Sequence, residues 1–524
     1  MSEQLMEFRA SPPQVSATRF IRLVLAAVFL LCVMIGMNIF LGASPNGGSL
    51  LMIAAVVGGY MAINIGANDV ANNVGPTVGS GAMTMGAAIV LAAAFELGGA
   101  VIAGGDVVGT VKSKIIDPEL IADDATFIWL MLAALFAGAV WLNIATYFGA
   151  PVSTTHSIVG GVLGAGIAAG GWSVADWGVM LKIAASWIIS PVMGGSIAAL
   201  FLYTIMRTVV DQKDILGAAR RFVPYLLAIM AWVFASYLAL KGLKKVMPID
   251  FLTASLVGLA AAGAVLVWVK PRIAKAALTL PNERESVNHL FTTPLIFAAA
   301  LLSFAHGAND VANAVGPLAA INDALANGAV SAKASIPLWV MGIGALGIVV
   351  GLALFGPKLI RTVGSEITHL DKTRAFCVAL AAAVTVIIAS QLGLPVSSTH
   401  IAVGGVFGVG FLREYLEANQ ARISAELNER IRGDDELLVQ KFVATFQASA
   451  IAEQGAMIKQ LRNRSIAGLY LARKDRKSIS AVYKKELVKR SLVFRIVAAW
   501  LITVPASGIM AAVFYYTVRG YMLP

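Results

Sequence analysis

The sequence is poor in charged residues and in cysteine, and each shortage excludes a class of protein. Asp, Glu, Lys and Arg make up only 13% of the 524 residues, whereas 58% are hydrophobic. The two cysteines, Cys32 and Cys377, lie in apolar stretches and at no metal-ligand spacing. A disulfide framework and a cysteine metal site are therefore excluded, and both side chains are predicted to be packing residues.

The sequence also lacks the short motifs of hydrolytic and nucleotide-driven enzymes. It contains no H-E-x-x-H, no nucleophile elbow, no P-loop and no dense group of aspartates. A membrane phosphatase or pyrophosphatase would need a nucleophile with its base, or clustered carboxylates for magnesium. We therefore expect a protein that is not an enzyme and uses no cofactor. A membrane phosphatase is kept as the alternative from another class.

Long uncharged apolar runs fill most of the chain, which has a mean hydropathy of +0.80. Several are long enough to cross a hydrocarbon core of ~30 Å, and their continuity favours helices over a barrel. We predict an all-α polytopic membrane protein with about 12 transmembrane segments. The net charge of +11 comes from basic residues that lie mostly in short loops and in one stretch late in the chain. Membrane proteins concentrate such residues in their cytoplasmic loops. This distribution favours a lipid bilayer over nucleic acid as partner, and a multi-pass protein of the plasma (cell inner) membrane.

One polar heptapeptide, G-A-N-D-V-A-N, is written twice, at residues 66–72 and 307–313, and V-G-P follows closely each time. Acids and amides are costly to bury at hydrocarbon depth, and those that are retained usually line an ion or substrate path. Two copies predict one site shared at a repeat interface. The alternative is that these side chains only satisfy each other at a helix crossing.

A second motif, P-V-S-[ST]-T-H, also occurs twice, at residues 151–156 and 395–400. Its proline ends one helix, and its hydroxyls stand where a new apolar helix begins. The free N–H groups of a helix N-terminus make an anion site, and neighbouring hydroxyls can donate to a tetrahedral oxyanion. The alternative is ordinary capping, which needs only one hydroxyl.

The repeated order of these motifs, with a weaker echo at 191–194 and 505–508, divides the chain. The predicted parts are an extra transmembrane segment at 1–45, repeat one at 46–208, two connecting spans at 209–289, repeat two at 290–411, a charged helical insertion at 412–490 placed in the cytoplasm, and a final helix at 491–524 that completes repeat two.

The first motif is predicted to interrupt its helix, because Gly66 and the Gly75-Pro76 pair bracket the polar residues. A broken helix exposes backbone carbonyls, and the acid and amide side chains add further oxygens. Oxygen ligands suit sodium or a proton better than a soft metal. The predicted cation-binding residues are Asn68, Asp69, Asn72, Asn309, Asp310 and Asn313.

The remaining polar residues of the spans have two interpretations each. Glu96 lies mid-span and is either a proton or cation relay or the partner of a loop residue. His156 and His400 follow the hydroxyl motifs and either make structural hydrogen bonds or handle protons. His306 has no counterpart in repeat one, where Ile65 stands, and is predicted to be local packing.

On the two motif pairs, the chain resembles the inorganic phosphate transporter (PiT) family of cation-coupled symporters. The resemblance implies two repeats of inverted topology with broken or re-entrant helices and phosphate near the midplane, beside sodium or protons. It implies an acid at Glu96 and a second-half acid that is replaced at about Ala379. The phosphate-binding residues it implies are Asp69, Ser153, Thr154, Thr155, Asp310, Ser397, Ser398 and Thr399.

The first hypothesis is therefore a secondary transporter that symports inorganic phosphate with a cation by alternating access. A cation in the site offsets the charge of the anion, so each stabilises the binding of the other. A sulfate permease of the same architecture is the nearest alternative. The sequence leaves the coupling ion, sodium or proton, and a homo-oligomeric assembly open.

Overall fold

The computed structural model describes residues 17–41, 48–148, 152–242, 249–327, 336–366, 370–414, 445 and 490–522. Within these ranges the chain is helical and contains no β-strand. Eleven of the described helical segments are long and apolar enough to cross a membrane. The predicted all-α polytopic class is confirmed.

The helices of repeat one and of the segments before and after it are α1 (Ala17–Leu41), α2 (Gly48–Asn68), α3 (Val70–Gly79), α4 (Met85–Ala103), α5 (Gly105–Ser113), α6 (Asp124–Phe148), α7 (Thr154–Gly170), α8 (Trp177–Ile205), α9 (Ile215–Lys241) and α10 (Phe251–Ala277). The helices that follow are α11 (Arg284–Leu290), α12 (Thr292–Asp310), α13 (Ala312–Asn327), α14 (Leu338–Glu366), α15 (Lys372–Gln391), α16 (Ser398–Arg413) and α17 (Arg490–Met522).

Two kinds of residue cap the helix starts. An Asp side chain accepts a hydrogen bond from a backbone N–H at the start of α8, α9, α10 and α15. At the buried starts of α7 and α16 the capping residue is a serine, Ser153 and Ser397. A serine satisfies the free N–H groups without bringing a charge into the protein interior.

Helices α6 and α7 form a hairpin that returns to the side from which it came. The segment before α6 and the segment after α7 are joined by a β-bridge between Ile116 and Ala175. There Asp117 N donates to Val174 O over 2.8 Å. Because both ends of this hairpin lie together, it adds no net crossing, and the crossings that separate α2 from α12 are those of α2–α3, α4–α5, α8, α9 and α10. That number is odd, so α12 starts from the opposite side of the membrane to α2.

The last helix of each repeat packs on the hairpin of the other repeat: α8 on α16, and α17 on α7. Glycines allow this approach. A Cβ at Gly404 would overlap the carbonyl of Pro191, and one at Gly164 would overlap the backbone of Gly508. Small residues permit such close helix contacts in membrane proteins. The weakly similar segments at 191–194 and 505–508 thus make two equivalent packing contacts.

The interruption of the polar motif is shorter than predicted. Helix α2 ends at Asn68 and α3 begins at Val70, with Asp69 between them in the helical region of φ/ψ space. Backbone hydrogen bonding continues, because Asp69 N donates to Ile65 O over 2.9 Å. In repeat two, Val311 alone separates α12 from α13. Each copy of the motif thus interrupts its helix at a single residue, and the exposure of backbone carbonyls to a ligand stays a prediction.

The bracketing Gly and Pro residues have other roles than the predicted one. Pro76 lies inside α3 and Pro317 inside α13. Gly66 lies inside α2, where a Cβ would overlap the carbonyl of Ile348 on α14. Gly66 therefore permits close helix packing and does not mark a break.

Two further expectations concern the cysteines and the predicted insertion, and the structure tests only the first of them. Cys377 is buried as predicted, but Cys32 is exposed on α1, so the prediction that it packs in the interior is wrong. Nearly all of the predicted insertion at 412–490 and the loop 149–151 lie outside the described residues. The division into repeats and insertion stays a prediction.

A buried polar site shared by both halves

Helices α15 and α16 form a second hairpin. The two hairpins place the N-termini of α7 and α16 in one buried polar cluster. Ser153 Oγ accepts from His156 N over 3.1 Å, and Ser397 Oγ accepts from His400 N over 3.2 Å. Capping thus accounts for the first hydroxyl of each motif. The second and third hydroxyls of each motif are left for other contacts.

Asp69 joins the hydroxyls of both hairpins. Its Oδ2 accepts from Thr154 Oγ1 over 2.7 Å, and its Oδ1 accepts from Thr399 Oγ1 over 3.2 Å. The side chain is buried, with 1% of its surface exposed. A carboxylate of the first polar motif is therefore hydrogen-bonded to the hydroxyl motifs of both halves.

The third polar residue of each heptapeptide reaches the hairpin of the opposite half. Asn72 Nδ2 donates to Thr399 Oγ1 over 2.9 Å. Asn313 Nδ2 lies 3.1 Å from Thr154 Oγ1 and 3.2 Å from Thr155 Oγ1. All four motif copies thus meet in one cluster.

Asp310 has a different set of neighbours from Asp69. Its Oδ2 accepts from Ser398 Oγ over 3.0 Å and lies 2.8 Å from His306 Nε2. On the other side of the ring, His306 Nδ1 lies 2.7 Å from Glu96 Oε2. Asn73 Nδ2 donates to Glu96 Oε1 over 2.8 Å. A continuous row of contacts therefore leads from Asn73 through Glu96 and His306 to Asp310.

This row corrects two expectations. His306 is not local packing, because its two ring nitrogens face carboxylates of α4 and α12. The partners of Glu96 are spanning residues, so the interpretation that pairs it with a loop residue is wrong. Sequence reasoning missed the role of His306 because its partner Glu96 is remote in the chain. The available signal was that the second half has the titratable residue His306 where the first half has Ile65.

Asn68 and Asn309 hold the hairpins to the motif helices. Asn309 Nδ2 donates to Ser390 Oγ over 2.9 Å and to Leu394 O over 3.2 Å. The Asn68 amide lies 3.0 Å from Thr146 Oγ1 at the matching point of the first hairpin. With its amide turned, Asn68 also donates to Asp69 Oδ1 over 3.0 Å. The donors of both amides are therefore used in structural contacts.

Several buried acceptor oxygens have no hydrogen-bond partner among the described residues. They are Asn73 Oδ1, Asn309 Oδ1, Asp310 Oδ1 and Asn313 Oδ1. Buried polar atoms are normally satisfied, so a group of open acceptors calls for a ligand that supplies positive charge or donors. In addition, Asp69, His306 and Asp310 each offer a ligand atom, and these atoms lie within 4.8 Å of one another. This donor set fits a hard cation or a proton.

The two histidines of the hydroxyl motifs form a column with two tryptophans. The ring centroids are 3.7 Å apart for Trp187 and His156, 4.5 Å for His156 and His400, and 3.6 Å for His400 and Trp500. His156 Nδ1 also lies 2.8 Å from Ser153 Oγ, whereas both ring nitrogens of His400 lack a partner in the described part of the chain. Trp187 and Trp500 stand at the same separation from Gly195 and Gly508, but sequence reasoning did not single them out.

The fold and the site define a multi-pass membrane protein in which two halves of opposite orientation share one buried polar cluster. A model of the "Phosphate transporter family" matches residues 65–511. The chain belongs to this family, and the resemblance stated from the motifs is confirmed.

Individual relatives agree with this assignment. A protein of Helicobacter pylori strain J99 named "Putative phosphate permease" is 50% identical over 94% of both chains. A Pyrococcus furiosus protein with the same description is 39% identical over 71% of this chain and 90% of its own length. A solved structure titled "The sodium-dependent phosphate transporter" is 30% identical, covers 91% of this chain and all of its own, and superposes with a TM-score of 0.73.

Proposed function

We propose that this protein transports inorganic phosphate together with a cation. The observation that carries the proposal is the meeting of four non-capping hydroxyls, two carboxylates and several open acceptor oxygens between two inverted halves. The helix N-termini and the hydroxyls suit the oxyanion, and the open oxygens suit the cation. Family membership and the relatives named as phosphate permeases support phosphate as the substrate.

The cation is needed for an electrostatic reason. Asp69, Glu96 and Asp310 are all buried, and a phosphate anion adds further negative charge to the same cluster. Burial of so many like charges is unfavourable unless positive charge enters with them. His306 lies between Glu96 and Asp310 and supplies one positive charge when it is protonated, and sodium or protons supply the rest. The neighbour described as sodium-dependent favours sodium.

Alternating access would use the two hairpins as gates. The starts of α7 and α16 meet at Asp69, and each hairpin packs on the last helix of the other half. By the order of crossings, the two hairpins enter from opposite sides of the membrane. Rocking of one half against the other would then expose the same cluster to each side in turn. The repeat boundaries predicted from the sequence are part of this proposal.

The orientation follows from the basic helix ends. By the order of crossings, the start of α1 and the ends of α8, α10 and α14 lie on one side, with Arg22, Arg207, Lys275 and Arg361. Basic residues mark the cytoplasmic side. We place these ends, and the segment that follows α16, in the cytoplasm of a cell whose inner membrane holds the protein.

Phosphate is favoured over sulfate because a carboxylate can accept a hydrogen bond from the proton that phosphate keeps at neutral pH. Sulfate has no such proton, so Asp69 and Asp310 would repel it. A sulfate permease is the second candidate on architecture alone, and competition between the two anions during uptake separates them.

Labelled-phosphate uptake by the purified protein in proteoliposomes tests the proposal. An imposed inward sodium gradient and, separately, an imposed pH gradient should show which cation drives accumulation. We expect accumulation above equilibrium with at least one gradient. Equal uptake with both gradients collapsed, or release of phosphate from a chromogenic ester, would contradict symport.

A further inference from the structure

An apolar cavity lies between the two connecting helices and the rest of the protein. It has a volume of about 560 Å³ and is lined by α9 and α10 on one side and by α4, α11 and α12 on the other. Helix α10 packs chiefly on α9, whereas α12 packs chiefly on α4 and α15. The pair of α9 and α10 therefore leaves a gap against α12, and this gap is separate from the central polar cluster.

The polar groups of this cavity are confined to one end. Of the described residues that line it, Arg272, His289 and Thr293 are polar, none is acidic, and the others are apolar. These polar residues come from the last turns of α10, the end of α11 and the start of α12. Because the short helix α11 joins α10 to α12, these segments lie on the same side of the membrane. The cavity thus has a basic mouth at the membrane surface and an apolar interior.

The depth of the apolar interior matches one leaflet of a bilayer. On α10 the lining residues extend from Arg272 back to Ala261, a rise of about 16 Å in an α-helix. On α12 they extend from Thr293 to Leu301, a rise of about 12 Å. One leaflet of a hydrocarbon core of ~30 Å is about 15 Å deep. An acyl chain that fills the cavity would therefore place its headgroup at the level of Arg272.

The guanidinium at the mouth is held in position by a neighbouring tryptophan. Arg272 Nη1 donates to Trp268 O over 2.8 Å, and Arg272 Cζ lies 3.9 Å from the ring centroid of Trp268. A guanidinium has further N–H donors beyond the one used here. When it is stacked on an aromatic ring, its edge can still donate two parallel hydrogen bonds to a phosphate. Arg272 is therefore placed to bind a phosphate group at the mouth of the cavity.

We propose that this cavity binds one anionic phospholipid, with an acyl chain between α10 and α12 and the headgroup phosphate on Arg272. Charge complementarity selects this occupant, because a wholly apolar molecule would fill the interior and leave the guanidinium without a counter-charge. Lys275 follows three residues later on the same face of α10 and adds a second cation near the headgroup. A headgroup of net negative charge is therefore favoured over a zwitterionic one. The site is independent of the transported ions.

Native mass spectrometry of the full-length protein, stripped of lipid and then titrated with phosphatidylglycerol or phosphatidylcholine, tests the site. We expect the wild type to bind one phosphatidylglycerol about fivefold more tightly than phosphatidylcholine. Arg272→Gln should bind phosphatidylglycerol about tenfold more weakly than the wild type. The matched control is Arg221→Gln, which removes a guanidinium that lies 6.0 Å from the ring of Phe222 and does not line the cavity. This control should bind phosphatidylglycerol like the wild type.

A second variant blocks the apolar interior and leaves the basic mouth intact. Ala261→Phe places a large side chain in the deep part of the cavity and should abolish binding of phosphatidylglycerol. Its control is Ala260→Phe at the neighbouring exposed position, which does not line the cavity and should retain binding. A ligand that binds only the folded state raises the Tm. Phosphatidylglycerol should therefore raise the Tm of the wild type and of Ala260→Phe, but not that of Ala261→Phe.

Three results would overturn the proposal. They are equal affinity of the wild type for the two lipids, equal affinity of the wild type and Arg272→Gln for phosphatidylglycerol, and a dimer of the wild type that Ala261→Phe converts to a monomer. The last result would mean that a second copy of the chain covers the cavity. Because the measurement is lipid binding, absence of phosphate uptake would contradict the proposed function alone.

Discussion

The two halves carry the same heptapeptide, yet their acids have different surroundings. Both oxygens of Asp69 accept hydroxyl hydrogens, one from each hairpin. Asp310 accepts from Ser398 through one oxygen, shares that oxygen with His306, and leaves Oδ1 open in the described structure. The same heptapeptide therefore has different contacts in the two halves: the first acid is bonded to the hydroxyls of both hairpins, and the second has one oxygen without a partner among the described residues.

The sharpest test of this comparison is Asp310→Asn. The substitution keeps shape but removes the charge that faces His306 and the open ligand position, so phosphate uptake should fall about 100-fold. Discrimination of phosphate over sulfate should weaken as well. Competition uptake at equal protein level measures both. Unchanged selectivity would contradict the role assigned to the carboxylate.

Asp69→Asn should have a smaller effect on uptake, about tenfold, and a larger effect on stability. It weakens two hydrogen bonds to a charged group, each worth about 1.5–3 kcal/mol. Thermal unfolding in detergent should therefore show a lower Tm for Asp69→Asn than for Asp310→Asn. The reverse order of Tm values would break the distinction between the tying acid and the open acid.

His306→Ile recreates in the second half the residue of the first half, Ile65. It leaves Glu96 and Asp310 buried side by side without the ring between them, which is strongly unfavourable for two carboxylates. Uptake should fall at least tenfold, and His306→Gln should retain more activity because it keeps hydrogen-bonding groups. If both variants transport like the wild type, the row from Glu96 to Asp310 has no function.

Substitution of two adjacent hydroxyl residues at the start of α16 should separate an effect on helix stability from an effect on phosphate binding. Ser397→Ala removes a helix cap and should cost about 1 kcal/mol of stability. Ser398→Ala removes the donor to Asp310 and should raise the KM for phosphate about threefold to tenfold with less change in Tm. Unfolding curves and uptake kinetics of the two variants measure the contrast, and identical behaviour would contradict it.

The smallest effect is expected at the ends of the aromatic column. Trp187 Nε1 donates to Pro395 O over 3.1 Å, whereas Trp500 Nε1 has no partner in the described chain. Trp187→Phe should therefore cost about 1 kcal/mol and Trp500→Phe close to nothing. Equal losses of unfolding free energy in the two variants would contradict this difference between Trp187 and Trp500.

Much of the site could be predicted because its residues are costly inside a membrane. The duplicated Asp69 and Asp310 and the paired hydroxyl motifs predicted a shared cluster on that ground alone. The first hydroxyl of each hydroxyl motif is a helix cap, which agrees with the alternative interpretation of that motif. The next two hydroxyls lie in the cluster.

The rest could not be predicted because it depends on packing between distant segments. Glu96 meets His306 only because α4 packs on α12, and Trp500 meets His400 only because α17 packs on the first hairpin. Gly66 and Pro76 lie inside helices, and the interruption that the sequence predicted between them is confined to Asp69.

The central claim is that both halves hold one substrate in one cluster, and a double-mutant cycle on phosphate KM tests it most directly. The changes are Thr154→Val in the first hairpin and Thr399→Val in the second, whose hydroxyls share Asp69. Residues in one network couple by about 0.5–3 kcal/mol, so we predict that the double variant departs from the sum of the single effects. Strict additivity of the two changes would contradict a shared site.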